Sequence, residues 1–176
     1  MKGLLTLALA GNPNAGKTSI FNAITGSRQH VGNWPGKTVT KVEGAFRQGD
    51  SVGRLVDLPG TYSLSALSPE EIITRDYLLS GEADVVIDVV DATNLERNLY
   101  LTAQLLELGI PLIVALNVSD SARAQGIRID RERLSVLLGH APVIETIGHR
   151  GHGLDQLLDA AIAMIAPERA RLRLVA

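Results

Sequence analysis

Three short clusters in this 176-residue chain have the residue types and spacing of phosphate and base chemistry. Gly11-Asn12-Pro13-Asn14-Ala15-Gly16-Lys17-Thr18, followed by Ser19, fits the pattern G-x-x-x-x-G-K-[ST]. Its glycines let backbone N–H groups curl around a β-phosphate, Lys17 can reach the β and γ oxygens, and the Thr18 hydroxyl suits Mg²⁺. Asp57-Leu58-Pro59-Gly60 offers a carboxylate for the hydration shell of that ion and a Gly60 N–H for a γ-phosphate. Alone, D-x-x-G reads as an ordinary turn; behind a phosphate loop it gains force. In Asn117-Val118-Ser119-Asp120 the Asp120 carboxylate can accept from the ring N–H and the exocyclic amine of guanine, a pair that adenine lacks. By itself that cluster also suits an Asx-type turn at a strand end.

Positioning these clusters requires strands that end where they begin. Apolar runs at Leu4 to Ala10, Lys41 to Arg47, Val52 to Asp57, Asp84 to Val90, Leu112 to Asn117 and Pro142 to Glu145 are strand-sized and alternate with helix-like segments. That spacing predicts a mainly parallel sheet with helices on both faces. The second and third runs are joined only by Gln48-Gly49-Asp50-Ser51, too short for a crossover helix, so they pair antiparallel and the sheet is mixed. The phosphate loop opens a helix ending near Gly26. Ser68-Pro69-Glu70-Glu71 caps a second helix that Gly81 closes, and the two glutamates serve as helix N-terminal charges. Thr93 and Glu96 have the spacing of a capping box for a third, which stops at Gly109. Leu154, Leu157, Leu158, Ala161, Ile162 and Ile165 form one buried helical stripe. Gln29 to Lys37 and Gly60 to Ser68 read as long loops, and loops of that length are usually functional.

The length suits one domain, and 45% hydrophobic with 20% charged residues suits a packed core. A net charge of -2 exerts no bulk attraction on nucleic acid or anionic lipid, so a bound anion needs a local site. The absence of cysteine excludes disulfides, thiolate catalysis and Cys-based metal centres. Aromatic residues at 3% argue against a base-stacking surface for single strands. No apolar run reaches the length of a membrane-spanning helix. Met1 to Ala10 has one positive charge and an Ala-x-Ala end like a signal peptide, but it is short and a phosphate loop follows without a spacer.

The ordered set of phosphate loop, D-x-x-G and N-x-x-D resembles the translation-factor-like branch of GTPases. Val31-Gly32-Asn33-Trp34-Pro35-Gly36-Lys37-Thr38-Val39 and Asp91-Ala92-Thr93-Asn94-Leu95-Glu96-Arg97-Asn98-Leu99-Tyr100-Leu101 are far more specific, and they are similar to the G domain of the ferrous iron transport protein B family. The similarity covers about residues 3 to 166. It implies an α/β fold of the P-loop NTPase class, a Ras-like G domain with a mixed, mostly parallel sheet of six or seven strands and helices on both faces. Residues 1–166 would be the GTP-binding domain, and 167–176 the start of a connection to parts outside this chain. The implied activity is slow, Mg²⁺-dependent, K⁺-stimulated hydrolysis of GTP to GDP and phosphate, acting as a switch on bacterial ferrous iron uptake. The implied setting is the cytoplasmic side of the inner membrane, with the membrane part of the same full-length transporter as partner. No nucleic acid partner and no membrane insertion by this chain are implied.

Residue by residue, the resemblance makes Thr38 the switch I threonine that ligates Mg²⁺ beside Thr18 and Asp57, with Gly36 and Lys37 next to it and Gln29 to Lys37 mobile until a γ-phosphate arrives. Asn14 and the carbonyls of Gly32 and Trp34 would hold K⁺, standing in for an arginine finger, since Thr61 occupies the place of the catalytic Gln of many signalling GTPases. Asn14 could instead only brace the loop. Asn14, Lys17, Thr38 and Gly60 are thus the expected catalytic set. Asn117, Val118, Ser119 and Asp120 face the base, with Val118 where a Lys is usual, and the loop Ile147, Gly148, His149 closes over it, with Gly148 where a Ser is usual. Both departures predict weak, quickly exchanging nucleotide. His149 and His152 lie in a Gly-rich loop without a carboxylate pair, which is not a metal site. Three other readings compete. A ribosome-assembly GTPase would want a basic RNA-binding appendage; a nucleotide-sensing module would differ only in turnover; an ATP-using P-loop kinase is disfavoured by Asn117 and Asp120.

Overall fold

The computed structural model describes residues 4–26 and 28–175, with side chains described as far as Ile165 in the last helix. Met1 to Gly3, part of the signal-peptide-like stretch, lie outside the described residues. Seven strands form one sheet: β1 (Leu5–Gly11), β2 (Gln29–Asn33), β3 (Thr40–Gln48), β4 (Ser51–Asp57), β5 (Val85–Asp91), β6 (Leu112–Asn117) and β7 (Val143–Glu145), in the order β2-β3-β4-β1-β5-β6-β7. β3 runs antiparallel to β2 and to β4; the other neighbours are parallel. The helices are α1 (Lys17–Thr25), α2 (Pro69–Leu79), α3 (Leu95–Glu107), α4 (Ser119–Ala124), α5 (Arg131–Leu137) and α6 (Leu154–Val175). The division expected at residue 166 falls inside α6, which continues to Val175.

The two faces follow from strand alternation. Leu5, Leu7 and Leu9 of β1, with Val85, Ile87 and Val89 of β5, pack under Ile20 and Phe21 of α1 and Leu154, Leu157, Leu158, Ala161 and Ile165 of α6. Ala8 and Ala10, with Val56 and Val86, face Ile73, Tyr77 and Leu78 of α2 and Leu101 and Leu105 of α3. A third cluster joins Val90, Val114 and Val143 to Ala122 of α4 and Leu134 of α5. The central strands β1, β5 and β6 are buried almost throughout. That burial, about 1.5–3 kcal/mol per large apolar side chain, is what makes their ends a rigid platform.

Two local expectations are corrected. Gln29 to Lys37 is not all loop: Gln29–Asn33 form the edge strand β2, paired with Thr40 to Gly44 of β3. Four of its five residues are exposed, so an apolar alternation is missing and only the partner strand reveals it. Thr93 and Glu96 do not form a capping box. A 3₁₀ turn, Ala92–Asn94, precedes α3, and the Asp91 carboxylate accepts from the Thr93 N–H at 2.8 Å and its hydroxyl at 2.7 Å. A carboxylate already at the end of β5 reaches those donors first. At α2 the Ser68 hydroxyl accepts from the Glu71 N–H at 3.1 Å as expected. The Glu71 side chain turns instead to the preceding loop, accepting from the Ser63 hydroxyl at 2.7 Å and the Leu67 N–H at 2.9 Å. Those bonds hold its carboxyl below the usual carboxylate range, the Ser63 bond contributing most.

Candidate functional site

The carboxyl-end edge of the sheet carries all three sequence clusters. Between β1 and α1 lies a cleft of about 470 Å³ lined by Asn12, Pro13, Asn14, Gly16, Lys17, Thr18, Ser19 and Gly60. A hollow of similar size, about 520 Å³, sits at the opposite edge among Leu106, Pro111, Leu138, Pro142 and Met164, remote from the clusters. The cleft is where backbone N–H groups at the start of α1 are free of intrahelical partners, which makes it an anion site. Gly16 has φ +93°, and a Cβ there would strike the Asn117 amide, so only glycine fits this turn. Asn14 takes φ +65°, which Asn tolerates better than most residues.

Lys17, 9% exposed, projects into the cleft and forms an ion pair of 2.6 Å with Asp57 at the end of β4. The pair offers an ammonium suited to phosphate oxygens and a carboxylate suited to a hard cation. Exposed Thr18 also lines the cleft, so Thr18 and Asp57 fit a hard cation with oxygen ligands. The Leu58 N–H donates to Leu9 O at 3.0 Å and the Thr61 N–H to Gly11 O at 3.2 Å, so Asp57 to Thr61 runs beside the phosphate loop.

Switch I stands apart in this conformation. Gly32 pairs with Lys41 in the β2/β3 ladder, Gly36, Lys37 and Thr38 are exposed, and none of them lines the cleft. Trp34 is 6% exposed, its ring edge against Tyr77 of α2 at 5.3 Å and the Lys41 ammonium over it at 4.9 Å. Its carbonyl accepts from the Lys37 N–H at 2.9 Å. Of the three oxygen donors expected for K⁺, only Asn14 stands in the cleft, with Gly32 and Trp34 outside it.

At the base end, Asn117 is a brace. Its Nδ2 donates to Ala15 O at 3.0 Å, and its Oδ1 accepts from the Thr146 hydroxyl at 3.2 Å and the Gly148 N–H at 3.0 Å. One buried amide thus ties the phosphate loop to the loop after β7. Because the Gly148 N–H is spent on Asn117, His149 rather than Gly148 is left to offer a backbone donor to a base. A Ser at position 148 would require Ile20 to shift: a Cβ there would lie 2.8 Å from Ile20 Cγ1 and 3.2 Å from Ile20 N. Val118 is held at φ +52°, a conformation strained for a β-branched residue, and strain of this kind gathers at functional sites. Ser119 is buried and donates to Thr146 O at 3.2 Å. Asp120 has one oxygen buried without a hydrogen-bond partner and the other 3.9 Å from an Arg150 nitrogen. Ile147 is buried; His149 is exposed. Thr146 and Arg150 were not among the sequence candidates. Thr146 is marked only by being a hydroxyl directly after a short strand, and Arg150 carries no local signal.

Comparison with known proteins agrees with this geometry. A family model described as ferrous iron transport protein B matches residues 5–161. The chain belongs to the ferrous iron transport protein B family. It is 58% identical over 157 residues to the Fe(2+) transporter FeoB of Escherichia coli K12, covering 87% of this chain and 20% of that protein, and 57% identical to the FeoB of Salmonella typhimurium LT2 with the same coverage. The chain thus spans about a fifth of the length of these relatives. The cytosolic domain of the T. maritima FeoB iron transporter in its GMPPNP form superposes with a TM-score of 0.88 at 48% identity, covering 91% of this chain and 63% of that one. The G domain of T. maritima FeoB gives 0.85 at 46% identity, covering 92% and 98%. A point mutant of S. thermophilus NFeoB bound to GDP gives 0.85 at 52% identity, covering 90% and 61%. The fold is that of the P-loop G domain of this family, with the seven-stranded alternative of the expected sheet.

Proposed function

We propose that this chain binds GTP and GDP with Mg²⁺ and hydrolyses GTP slowly, as the cytoplasmic switch domain of a longer ferrous iron transporter of the bacterial inner membrane. The observation that carries the reading is Asp120. A carboxylate oxygen buried without a donor costs about 1–3 kcal/mol in desolvation, and the ring N–H and amine of guanine are the donors that repay it. Lys17 and Thr18 in the cleft, with Asp57 paired to Lys17, support phosphate and metal binding at the other end, and Asn117 keeps the two ends in register. Mg²⁺ would be held by Thr18 and Asp57, with Thr38 joining when switch I closes, and would supply charge neutralisation between the β and γ oxygens. K⁺ would be held by Asn14 and, after the same closure, by the carbonyls of Gly32 and Trp34. Closing then breaks the Trp34 to Lys37 turn and peels the exposed strand β2, a small cost for an edge strand. The change in switch I and in switch II, the segment that begins at Asp57-Leu58-Pro59-Gly60, biases the membrane part of the transporter, and residues beyond 166 lead toward it.

Asp120→Asn is the direct test. It replaces an acceptor pair by an amide that faces guanine donors with a donor of its own. GDP affinity, measured calorimetrically, should fall by about 1–3 kcal/mol. Unchanged GDP affinity would remove Asp120 from the base site.

A further inference from the structure

One buried polar side chain in the phosphate loop is left unexplained by nucleotide binding as outlined above. Asn12 is 4% exposed, and neither its amide nitrogen nor its amide oxygen has a hydrogen-bond partner. Its backbone is ordinary, the carbonyl accepting from the Ala15 N–H at 3.1 Å. The strand alternation explains where the side chain goes. Ala8 and Ala10 face α2 and α3, and Asn12, two residues further, continues that row beyond the end of β1. Buried unpaired amides are rare because both groups lose water without compensation. An alanine at this position would lose no hydrogen bond in the conformation seen.

A second orphan lies on the segment that runs beside the phosphate loop. Thr61 is also 4% exposed, and its hydroxyl has no partner. The Thr61 N–H donates to Gly11 O at 3.2 Å, which puts Thr61 alongside the Gly11-Asn12 peptide. Thr61 directly follows Gly60, the residue lining the cleft from the switch II side. The segment is held from behind by Thr74 of α2, whose hydroxyl donates to Pro59 O at 3.3 Å. Phosphate loop and switch II therefore each bury one unsatisfied polar group at the point where their backbones touch.

We propose that Asn12 is a positioning residue for switch II: its amide pairs with the Thr61 hydroxyl when Gly60 closes on a γ-phosphate, and holds the Gly60 N–H in place for hydrolysis. The inference rests on the GTPase reading above. In the GDP state nothing draws Gly60 inward and the two side chains stay apart; with a γ-phosphate one end of the Asn12 amide and the Thr61 hydroxyl are satisfied in one bond. Asn12 touches no reacting atom, so its effect falls on turnover and on the preference for triphosphate over diphosphate.

The test uses the 176-residue chain as parent, Asn12→Ala, Thr61→Val and the double variant. Single-turnover GTP hydrolysis is measured together with the affinities for GDP and GMPPNP. Thr61→Val keeps the shape of the side chain, so it tests the pair even if Asn12→Ala folds poorly. Each single change should slow hydrolysis and weaken GMPPNP binding by about tenfold, the worth of one buried hydrogen bond. GDP affinity should stay within about twofold, and the double variant should be no slower than the slower single one, because the bond can be lost only once. Parental turnover in either single variant, equal weakening of GDP and GMPPNP, or losses that multiply in the double variant would each overturn the pairing. A parent that hydrolyses no GTP would overturn the GTPase reading itself, and the pairing with it.

Discussion

K⁺ should accelerate GTP turnover, and replacing Asn14 with alanine should abolish most of that acceleration while leaving GDP affinity within about threefold, since no charge is removed from the phosphate contacts. The reason lies in what the cleft does not contain. Hydrolysis develops charge between the β and γ phosphates, and an arginine placed there is worth about 10³–10⁵ in rate. Among the described residues no arginine lines the cleft, and Thr61, where a catalytic Gln stands in many signalling GTPases, is buried and fastened to Gly11. Asn14 is exposed at the rim of the phosphate loop, with a side-chain oxygen of the kind a hard monovalent cation prefers. Phosphate release from GTP, followed in K⁺ and in Na⁺ at equal ionic strength, should differ by about 10² or more in the parent, somewhat less than the full worth of an arginine being enough, and by little in Asn14→Ala. Equal rates in the two salts, or a K⁺ response that survives the substitution, would leave an external activating partner as the source of the missing charge.

The second large effect concerns stability. Asp88 sits in the middle of β5, beside Ala10 and Val114, and its one hydrogen-bond partner given by the structure is the Thr102 hydroxyl of α3 at 2.6 Å. Burial is the main cause that pushes its carboxyl up from 3.8 to about 7, opposed by the Thr102 bond. The folded pKa lies above the unfolded one, so the folded chain holds the proton more tightly than the unfolded chain does. The associated stability is present in full below about pH 4, is lost as pH rises toward 7, and does not return above it. A shift of this size corresponds to about 4 kcal/mol at most. Asp88→Asn retains an acceptor for Thr102 and cannot ionise. Denaturant unfolding of parent and variant at matched pH values between 4 and 8 should show the parent losing ground to the variant as pH rises; the comparison cancels groups common to both. Parallel curves would mean that Asp88 ionises in the folded state as readily as in water.

Much of this site was legible because its signals are local. The phosphate loop, the Ser68 cap, Gly26 and Gly109 as helix ends, and the antiparallel β3/β4 hairpin all depend on neighbours within a few residues. What stayed hidden depends on contacts distant in sequence. β2 is an edge strand exposed on both faces, so only its pairing with β3 identifies it. Trp34 looks like part of a polar loop until Tyr77 of α2 is found against it. Asn117 reads as a base contact, and nothing local shows that its amide also joins Ala15 to Thr146 and Gly148, partners 102, 29 and 31 residues away. The glycine at 148 was visible as a departure from the usual Ser; its cause, the side chain of Ile20, was not. Thr93 and Glu96 misled for the opposite reason: a local motif was present, and a nearer carboxylate, Asp91, displaced it.

Guanine recognition is the claim on which the function rests, and calorimetric titration of the parent chain with GDP and with ADP, in the same Mg²⁺ and K⁺ buffer, tests it most directly. The Asp120 carboxylate, one oxygen of which has no partner, meets two donors in guanine and none in adenine, where it faces a ring nitrogen acceptor. GDP should bind about 10²-fold more tightly than ADP, since failing to satisfy that buried group costs up to about 3 kcal/mol. Equal affinity for the two nucleotides, or no binding of GDP, would contradict the assignment of this cleft as a guanine nucleotide site.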